Sequence, residues 1–336
     1  MNANERKDKI VTMGEIMLRL TPPDYAKFEQ ANSFLANYGG GEANVAVSLA
    51  HLGHECYFLS KLPPNDLGDS AIAHLREHNV HTDYIVRGSS NLGIYFLETG
   101  FGGRPGKVIY NRKHSSATRM SPADFDFDEI FHDATWFHLS GITLALSRSC
   151  RSTCLSALKA AKAHGVKVSF DFNYRSKLAT VEEAQSFYPS VMPYVDVLFA
   201  SPWDFRTILG FNPSSDDSEL MAEAVRVYHL KYIFGKTRKI ISATEQSMKA
   251  YVYGEKGCEH SEQMQFQIFD RIGAGDAFAA GVIHSLTKDY ENPLKAARFG
   301  LADSILKQTI FGDVSTFSEE EIEEYLANQG IVEVKR

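Results

Sequence analysis

Apolar and polar positions change period several times along the chain, and those changes divide it into elements. From about residue 120 onward, short apolar runs take turns with stretches whose apolar residues recur at helical spacing. Ala134 to Ser140, Val166 to Phe172, Val195 to Ala200 and Tyr232 to Phe234 read as buried strands. The segments 149 to 164, 182 to 191 and 217 to 229 read as the helices between and after them. Helical patterns also cover 274 to 287, 292 to 307 and 318 to 327. The last opens on Ser318 with Glu321 three residues later, the spacing of a capping box. Strands alternating with helices predict a mostly parallel sheet covered on both faces, a doubly wound α/β core.

The first 120 residues follow a different rhythm. Strand-like runs at Glu15 to Leu20, Gly93 to Glu98 and Lys107 to Arg112 are present, and no crossover helix separates the last two. Those two predict a hairpin across Gly100-Phe101-Gly102-Gly103-Arg104-Pro105-Gly106. Strands of this kind, inserted into the core at about 15–38 and 91–118, form a small separate β-sheet placed as a lid over a site. No internal repeat, low-complexity tract or linker interrupts the chain, so 1–336 reads as a single domain carrying the lid as an insertion.

Composition narrows the partners. With 336 residues and 44% apolar content the chain has ample core, and its formal charge of -7 gives no broad positive field for nucleic acid or an anionic membrane. Any anion must therefore be bound locally. Cys56, Cys150, Cys154 and Cys258 are too sparse for a disulfide framework and show no zinc spacing, so they read as ordinary reduced thiols. The start, Met1 to Lys9, is charged without an apolar run after it, and no stretch approaches the roughly 18 apolar residues of a membrane span. A cytoplasmic protein is expected.

The strongest chemical signal is Gly273-Ala274-Gly275-Asp276, just before a helical pattern. Backbone N–H groups converge at such a helix start, where the dipole is positive and phosphate binds. Glycine lets an anion approach the backbone closely. A carboxylate at Asp276 is then placed to take the proton of a hydroxyl attacking a γ-phosphate. The simpler alternative is a tight loop with Asp276 as a helix cap. The loop lacks Gly-Lys-Ser/Thr, so it is no Walker motif, and it lacks the third glycine of a dinucleotide fingerprint. A second glycine cluster, Gly39-Gly40-Gly41, precedes an apolar helix closed by Gly53, with Asn44 near its start available to sugar hydroxyls.

The run Asp270-Arg271-Ile272-Gly273-Ala274-Gly275-Asp276-Ala277-Phe278-Ala279-Ala280-Gly281 resembles the C-terminal signature of the ribokinase-like (PfkB) carbohydrate kinases, and Gly39 to Gly53 resembles their N-terminal one. The resemblance covers essentially the whole chain. Within the family it narrows to the 2-keto-3-deoxygluconate kinases through the Gly93-Ile94-Tyr95 strand, Tyr110-Asn111-Arg112, Asp171 to Leu178, and Lys307 to Asp313. It implies a ribokinase-like fold and ATP-dependent phosphorylation of 2-dehydro-3-deoxy-D-gluconate to its 6-phosphate. Asp276 would be the base, with Gly273, Ala274 and Gly275 holding the developing charge. Gly40, Gly41, Asn44, Tyr95, Tyr110, Arg112, Arg175 and Asp313 would surround the sugar acid. Asn173, Arg175, Ser242, Gly273 and Gly275 would face the nucleotide.

Arginine suits such a substrate because guanidinium holds a carboxylate through two parallel bonds. ATP and Mg2+ are the implied cofactors, with Asp204 and Asp270 as outer-shell candidates for the metal and a monovalent cation as an open addition. Two lids pairing their exposed edges would make a homodimer or a higher homo-oligomer. The chain departs from the family pattern in three places. Arg19 stands where many neutral-sugar kinases carry an aspartate, which argues against a ribokinase or fructokinase. Ser201-Pro202-Trp203-Asp204 replaces Asn-x-x-Glu, and Ser242-Ala243-Thr244-Glu245-Gln246-Ser247 replaces a Gly-x-x-Gly loop. Competing readings are a kinase for fructose, another ketose or a sugar phosphate, and a non-catalytic sugar-acid sensor.

Overall fold

The structure, a computed structural model, describes residues 8–89 and 91–328. The charged opening Met1 to Lys7 lies outside the described residues. In chain order the strands are β1 (Lys9–Met13), β2 (Met17–Thr21), β3 (Leu35–Gly39), β4 (Glu55–Leu62), β5 (Val80–His81), β6 (Ile85–Arg87), β7 (Gly93–Glu98) and β8 (Lys107–Asn111). They continue with β9 (Trp136–Ser140), β10 (Lys167–Asp171), β11 (Val197–Phe199), β12 (Tyr232–Ile240), β13 (Glu245–Gly254), β14 (Gly257–His260) and β15 (Met264–Gln267).

Eleven strands form the main sheet, in the order β14-β13-β12-β11-β10-β9-β1-β4-β5, with β15 on β13 and β6 on β4. Pairing is parallel from β4 through β12 and turns antiparallel at the β12–β15 end. Alternation along each strand feeds two cores. Val11, Phe137, Val168 and Phe170 face one side, where the Arg148–Ala163 helix packs. Ile10, Phe58, Trp136, Val197 and Phe199 face the other, against the Gly41–His51, Ala274–Lys288 and Pro293–Lys307 helices. This is the doubly wound α/β arrangement that the pattern predicts.

Local rules explain most boundaries. The Arg148–Ala163 helix buries Cys150, Thr153, Cys154, Ala157, Leu158 and Ala161 at helical spacing, and the Ser147 hydroxyl accepts from Cys150 N–H at its start. Ser318 and Glu321 form the expected capping box. Two expectations are corrected. The helix expected over 182 to 191 ends at Phe187 and gives way to single 3-10 turns at Tyr188–Ser190 and Met192–Tyr194, because Pro189 and Pro193 each lack an N–H. Parallel strands also begin earlier than residue 120: β1 and β4 pair in register from Lys9 with Glu55 to Met13 with Leu59.

A second, four-stranded sheet has the order β3-β2-β7-β8. Its hairpin sets Tyr95 opposite Tyr110, and the parallel pair sets Arg19 beside Tyr95. These residues face inward with Met17, while Phe96 and Ile109, also paired, face outward.

Arg19 ties this sheet to the core. Fully buried, it donates from Nη1 to Asp313 at 2.7 Å, from Nη2 to Asp270 at 2.5 Å and from Nε to Thr21 Oγ1 at 2.8 Å. Its guanidinium also lies 5.0 Å from the centroid of the Phe311 ring. Asp270 accepts further from the N–H groups of Ile272 and Gly312, so its carboxylate is fully satisfied. Such a pair is costly to break because removing one partner leaves buried charge uncompensated. Arg19→Leu is expected to destabilise the protein by about 3–5 kcal/mol in urea unfolding, with Asp270 and Asp313 both orphaned.

Candidate active site

Two helix N-termini from opposite ends of the chain meet above the carboxyl ends of the parallel strands. The Gly41–His51 and Ala274–Lys288 helices lie side by side, and Asn44 Nδ2 donates to Asp276 Oδ2 at 2.7 Å across 232 residues of sequence. Asn44 Oδ1 accepts from Gly40 N–H at 3.1 Å. Both ends of this amide are therefore engaged, and Asn44 orients the carboxylate of Asp276.

Gly273 has φ +81°, and a Cβ there would lie 1.7 Å from the Asp313 carbonyl oxygen, so the loop requires glycine at this position. The helix starts at Ala274, which puts Asp276 in its first turn. The N–H groups of Gly275 and Asp276 donate to no group among the described residues, and the space beside Gly275 is open. That is room for an anion at a positive helix end. Gly41 faces the same opening, its missing Cβ 3.8 Å from Asp276 Oδ1 and 3.9 Å from Asn173 Nδ2. Gly40 does not: a Cβ there would strike the Glu15 carbonyl oxygen, so its role is close backbone packing.

Electrostatics favour a proton acceptor. Burial pushes Asp276 up to about 7 against the Asn44 hydrogen bond, with Asp171 adding to the rise and Arg175 opposing it. Asp171, the last residue of β10, is likewise pushed up to about 7 by burial, opposed by Arg175 and reinforced by Asp204. Its Oδ1 accepts from Asn173 N–H at 3.0 Å, which pins Asn173 at a positive φ of 38°. Lys236 on β12 counters these carboxylates. Its ammonium donates to Ala274 O and Ser304 Oγ, both at 3.1 Å, and burial brings it down to about 8. Arg175 is exposed, and its guanidinium makes no hydrogen bond or ion pair among the described residues.

On the lid side, several expected substrate contacts are already committed. Arg112 is buried and ion-paired with Glu15, which also accepts from Ser115 Oγ, so its charge is neutralised before any carboxylate arrives. Asp313 is held by Arg19 and accepts from the Tyr95 hydroxyl. Asp270, expected near a metal, is instead the second anion on Arg19. Tyr110 remains accessible at 43% exposure, its ring 5.8 Å from that of Tyr95.

Comparison with known proteins places this geometry. Residues 7–307 match the model of the pfkB family carbohydrate kinases. The chain belongs to that family. A 2-dehydro-3-deoxygluconokinase from Thermotoga maritima, solved by crystallography, superposes with a TM-score of 0.92 at 43% identity, covering 95% of this chain and 99% of that one. A 2-dehydro-3-deoxygalactonokinase from Haloferax volcanii is 34% identical over 95% of this chain and 96% of its own length. A 2-dehydro-3-deoxygluconokinase from Thermoproteus tenax is 28% identical over 94% of each.

In this carbohydrate kinase, Asp204 is used mainly as a helix cap, its Oδ2 accepting from Ser201 N–H at 2.8 Å and Ser201 Oγ at 2.7 Å. Among the described residues no group of three or more His, Cys, Asp or Glu side chains is placed to hold a metal ion. Ser242 lies in the turn between β12 and β13, where Ala243 N–H donates to the lid residue Gly102 at 2.7 Å. No helix among the described residues is long and apolar enough to cross a membrane.

Sequence reasoning left Arg19 undecided and passed over Lys236 and Glu15. Arg19 carried a signal, a charge flanked by Leu18 and Leu20 in a strand. Lys236 follows the apolar run Tyr-Ile-Phe-Gly, where it reads as the end of a strand. If Asp276 is the base, kinase activity falls as pH drops through about 7, because protonation removes the acceptor. Removing the Asn44 donor raises Asp276 further. The acidic limb of kcat/KM for Asn44→Ala is expected about one pH unit above that of wild type.

Proposed function

We propose that this kinase transfers the γ-phosphoryl group of ATP to 2-dehydro-3-deoxy-D-gluconate, giving the 6-phosphate. The observation that carries the reading is Arg175, a guanidinium with no hydrogen bond or ion pair among the described residues, close enough to influence both Asp171 and Asp276. A sugar acid brings the carboxylate that such a group holds through two parallel bonds. The likeness to the Thermotoga maritima kinase, at 43% identity, supports the same choice. Arg175 takes over the carboxylate contact that the sequence assigned jointly to Arg112.

In the reaction, Asp276 accepts the proton of the attacking hydroxyl, oriented by Asn44. The free N–H groups of Gly275 and Asp276 receive the phosphoryl oxygens. Lys236 holds the carbonyl of Ala274 and so fixes the loop that presents them. Tyr110 covers the apolar side of the sugar from the lid. Magnesium enters as part of the substrate MgATP and offsets phosphate charge there.

The Haloferax volcanii relative favours a second reading, the galactonate epimer, at 34% identity. A substrate panel at fixed MgATP is expected to give the highest kcat/KM with 2-dehydro-3-deoxygluconate. Faster turnover of the epimer, of fructose or of a phosphorylated ketose sinks the substrate assignment, and no turnover with any sugar favours the sensor. Asp276→Asn is expected to cost about 10²–10⁴ in kcat, the usual contribution of a general base. Arg175→Met is expected to raise KM for the acid about tenfold or more while leaving KM for a neutral ketose nearly unchanged.

The outward lid face exposes Phe34 and Ile109, at 41% and 54%. A second copy of this chain, pairing lid to lid, would cover them. Light scattering at micromolar concentration is expected to give the dimer mass, and a monomer mass removes the pairing.

A further inference from the structure

The tip of the lid meets the body at one small junction. At the end of the β7–β8 hairpin, Phe101 and Arg104 exchange backbone hydrogen bonds of 3.0 and 2.9 Å, which makes the tip a rigid turn. From that turn Gly102 O accepts from Ala243 N–H at 2.7 Å, between β12 and β13. The same β12–β13 turn is tied to the stretch ahead of the anion loop, because Thr244 O accepts from Ile268 N–H at 2.8 Å. Lid tip, turn and loop entrance therefore come together.

Tyr25, in the lid segment between β2 and β3, completes the junction. Its carbonyl accepts from Arg104 Nη2 at 2.6 Å, and Arg104 is held in turn by the buried Glu98 of β7 at 3.1 Å. The Tyr25 backbone thus goes with the hairpin. Its ring faces two ways, 5.0 Å from that of Phe101 and 6.1 Å, edge on, from that of Phe269, and its hydroxyl reaches the Phe269 carbonyl at 3.4 Å. Phe269 belongs to the body: its N–H and that of Asp270 both donate to Gln308 O, at 2.8 and 3.1 Å, at the end of the Pro293–Lys307 helix. Asp270 opens the anion loop, so a shift of Phe269 moves the loop entrance.

Two features mark this contact as built. Asp24 and Tyr25 both have left-handed backbone, φ 54° and 57°, which a tyrosine adopts only where its surroundings impose it. Phe101 and Phe269 stay 57% and 49% exposed, so the Tyr25 ring is an apolar clasp at the surface and adds little to the core. A clasp of that kind opens and closes without unfolding what it joins. With Arg19 fixing the base of the lid, the tip is the part left free to engage or release. The free edge of the hairpin is anchored elsewhere: Lys177 Nζ, two residues beyond Arg175, donates to Val108 O on β8 at 3.3 Å. One strap so spans from the Arg175 segment to the entrance of the anion loop.

We propose that Tyr25 is a positioning residue: it seats the lid tip on the entrance of the anion loop, so that a sugar under the lid and a phosphate donor at the loop each tighten the binding of the other. This rests on the kinase reading in one respect, that the lid covers the sugar while the loop receives the phosphate. The identity of the sugar does not enter.

The test is calorimetric titration of the full chain with the magnesium complex of the β,γ-imido analogue of ATP, alone and at saturating 2-dehydro-3-deoxygluconate, together with the converse titration. Wild type is expected to bind each ligand about fivefold or more tightly with the other present, by the same factor in both directions. Tyr25→Gly removes the ring from a left-handed position that glycine adopts freely, so its Tm is expected to stay at or above that of wild type. Its coupling factor is expected to fall below about twofold while the affinity for each ligand alone stays near wild type. Phe101→Ala is expected to show the same loss, and Tyr25→Phe, which keeps the ring, to retain most of the coupling. A purely structural role weakens both affinities and leaves the coupling factor alone, and that result overturns the latch. So does wild-type coupling in Tyr25→Gly, or a wild type in which neither ligand affects the other. If 2-dehydro-3-deoxygluconate is not bound, the substrate assignment falls alone, and the best sugar of the substrate panel takes its place in the same titrations.

Discussion

A single buried guanidinium holds the two parts of this kinase in register. Arg19 sits on the inner face of the lid sheet, and its two anions belong to the body: Asp270 opens the anion loop and Asp313 closes the segment after the last core helix. Because the three groups are almost wholly removed from water, none is tolerated without the others. The lid therefore cannot lift away from the loop without exposing or orphaning charge. Tyr95 reinforces this by donating to Asp313, and Lys307 does so by donating to the Asp270 carbonyl. Gly273, whose side chain would collide with the Asp313 backbone, completes the contact at the loop itself.

The same geometry lifts a carboxylate next to a helix N-terminus toward neutral pH. The helix end and the Asn44 amide favour the ionised form, whereas burial and the charge on Asp171 oppose it. The balance leaves Asp276 at about 7 and not in the ordinary carboxylate range. Glu42, next to Gly41 in the chain and buried on Ser140 and Thr143, adds to the negative field beside it. Lys236 and Arg175 supply the compensating charge, one fixed inside and one free at the surface. Among the described residues Arg175 stays outside the ion pairs that hold Arg19 and Arg112.

What relates this protein to its family is also what separates it from parts of the family. The anion loop and the glycine-opened helix are intact, but arginine occupies the place of a sugar-binding aspartate and now serves as a structural tie. The turn between β12 and β13 reads Ile241-Ser242-Ala243-Thr244, without glycine.

The doubly wound core was legible in the sequence because its determinants are local: alternation in β9 to β11, helical spacing in Arg148–Ala163, and the Ser318 capping box each act within a few residues. The anion loop was legible for the same reason, as Gly273 and Asp276 lie three positions apart and the turn between them has few solutions. The commitment of side chains was not legible. Arg112 and Arg175 look alike in the chain, and only the fold brings Glu15 to the first and leaves the second open. Nothing near Asn44 in the chain signals its bond to Asp276, 232 residues away. Ionic and hydrogen-bonding groups take whichever partner the tertiary structure delivers, across distances that no local pattern encodes. The sequence by itself determined the architecture and pointed to Asp276; the tertiary structure decided which charges are paired among the described residues, because those partners come from distant parts of the chain.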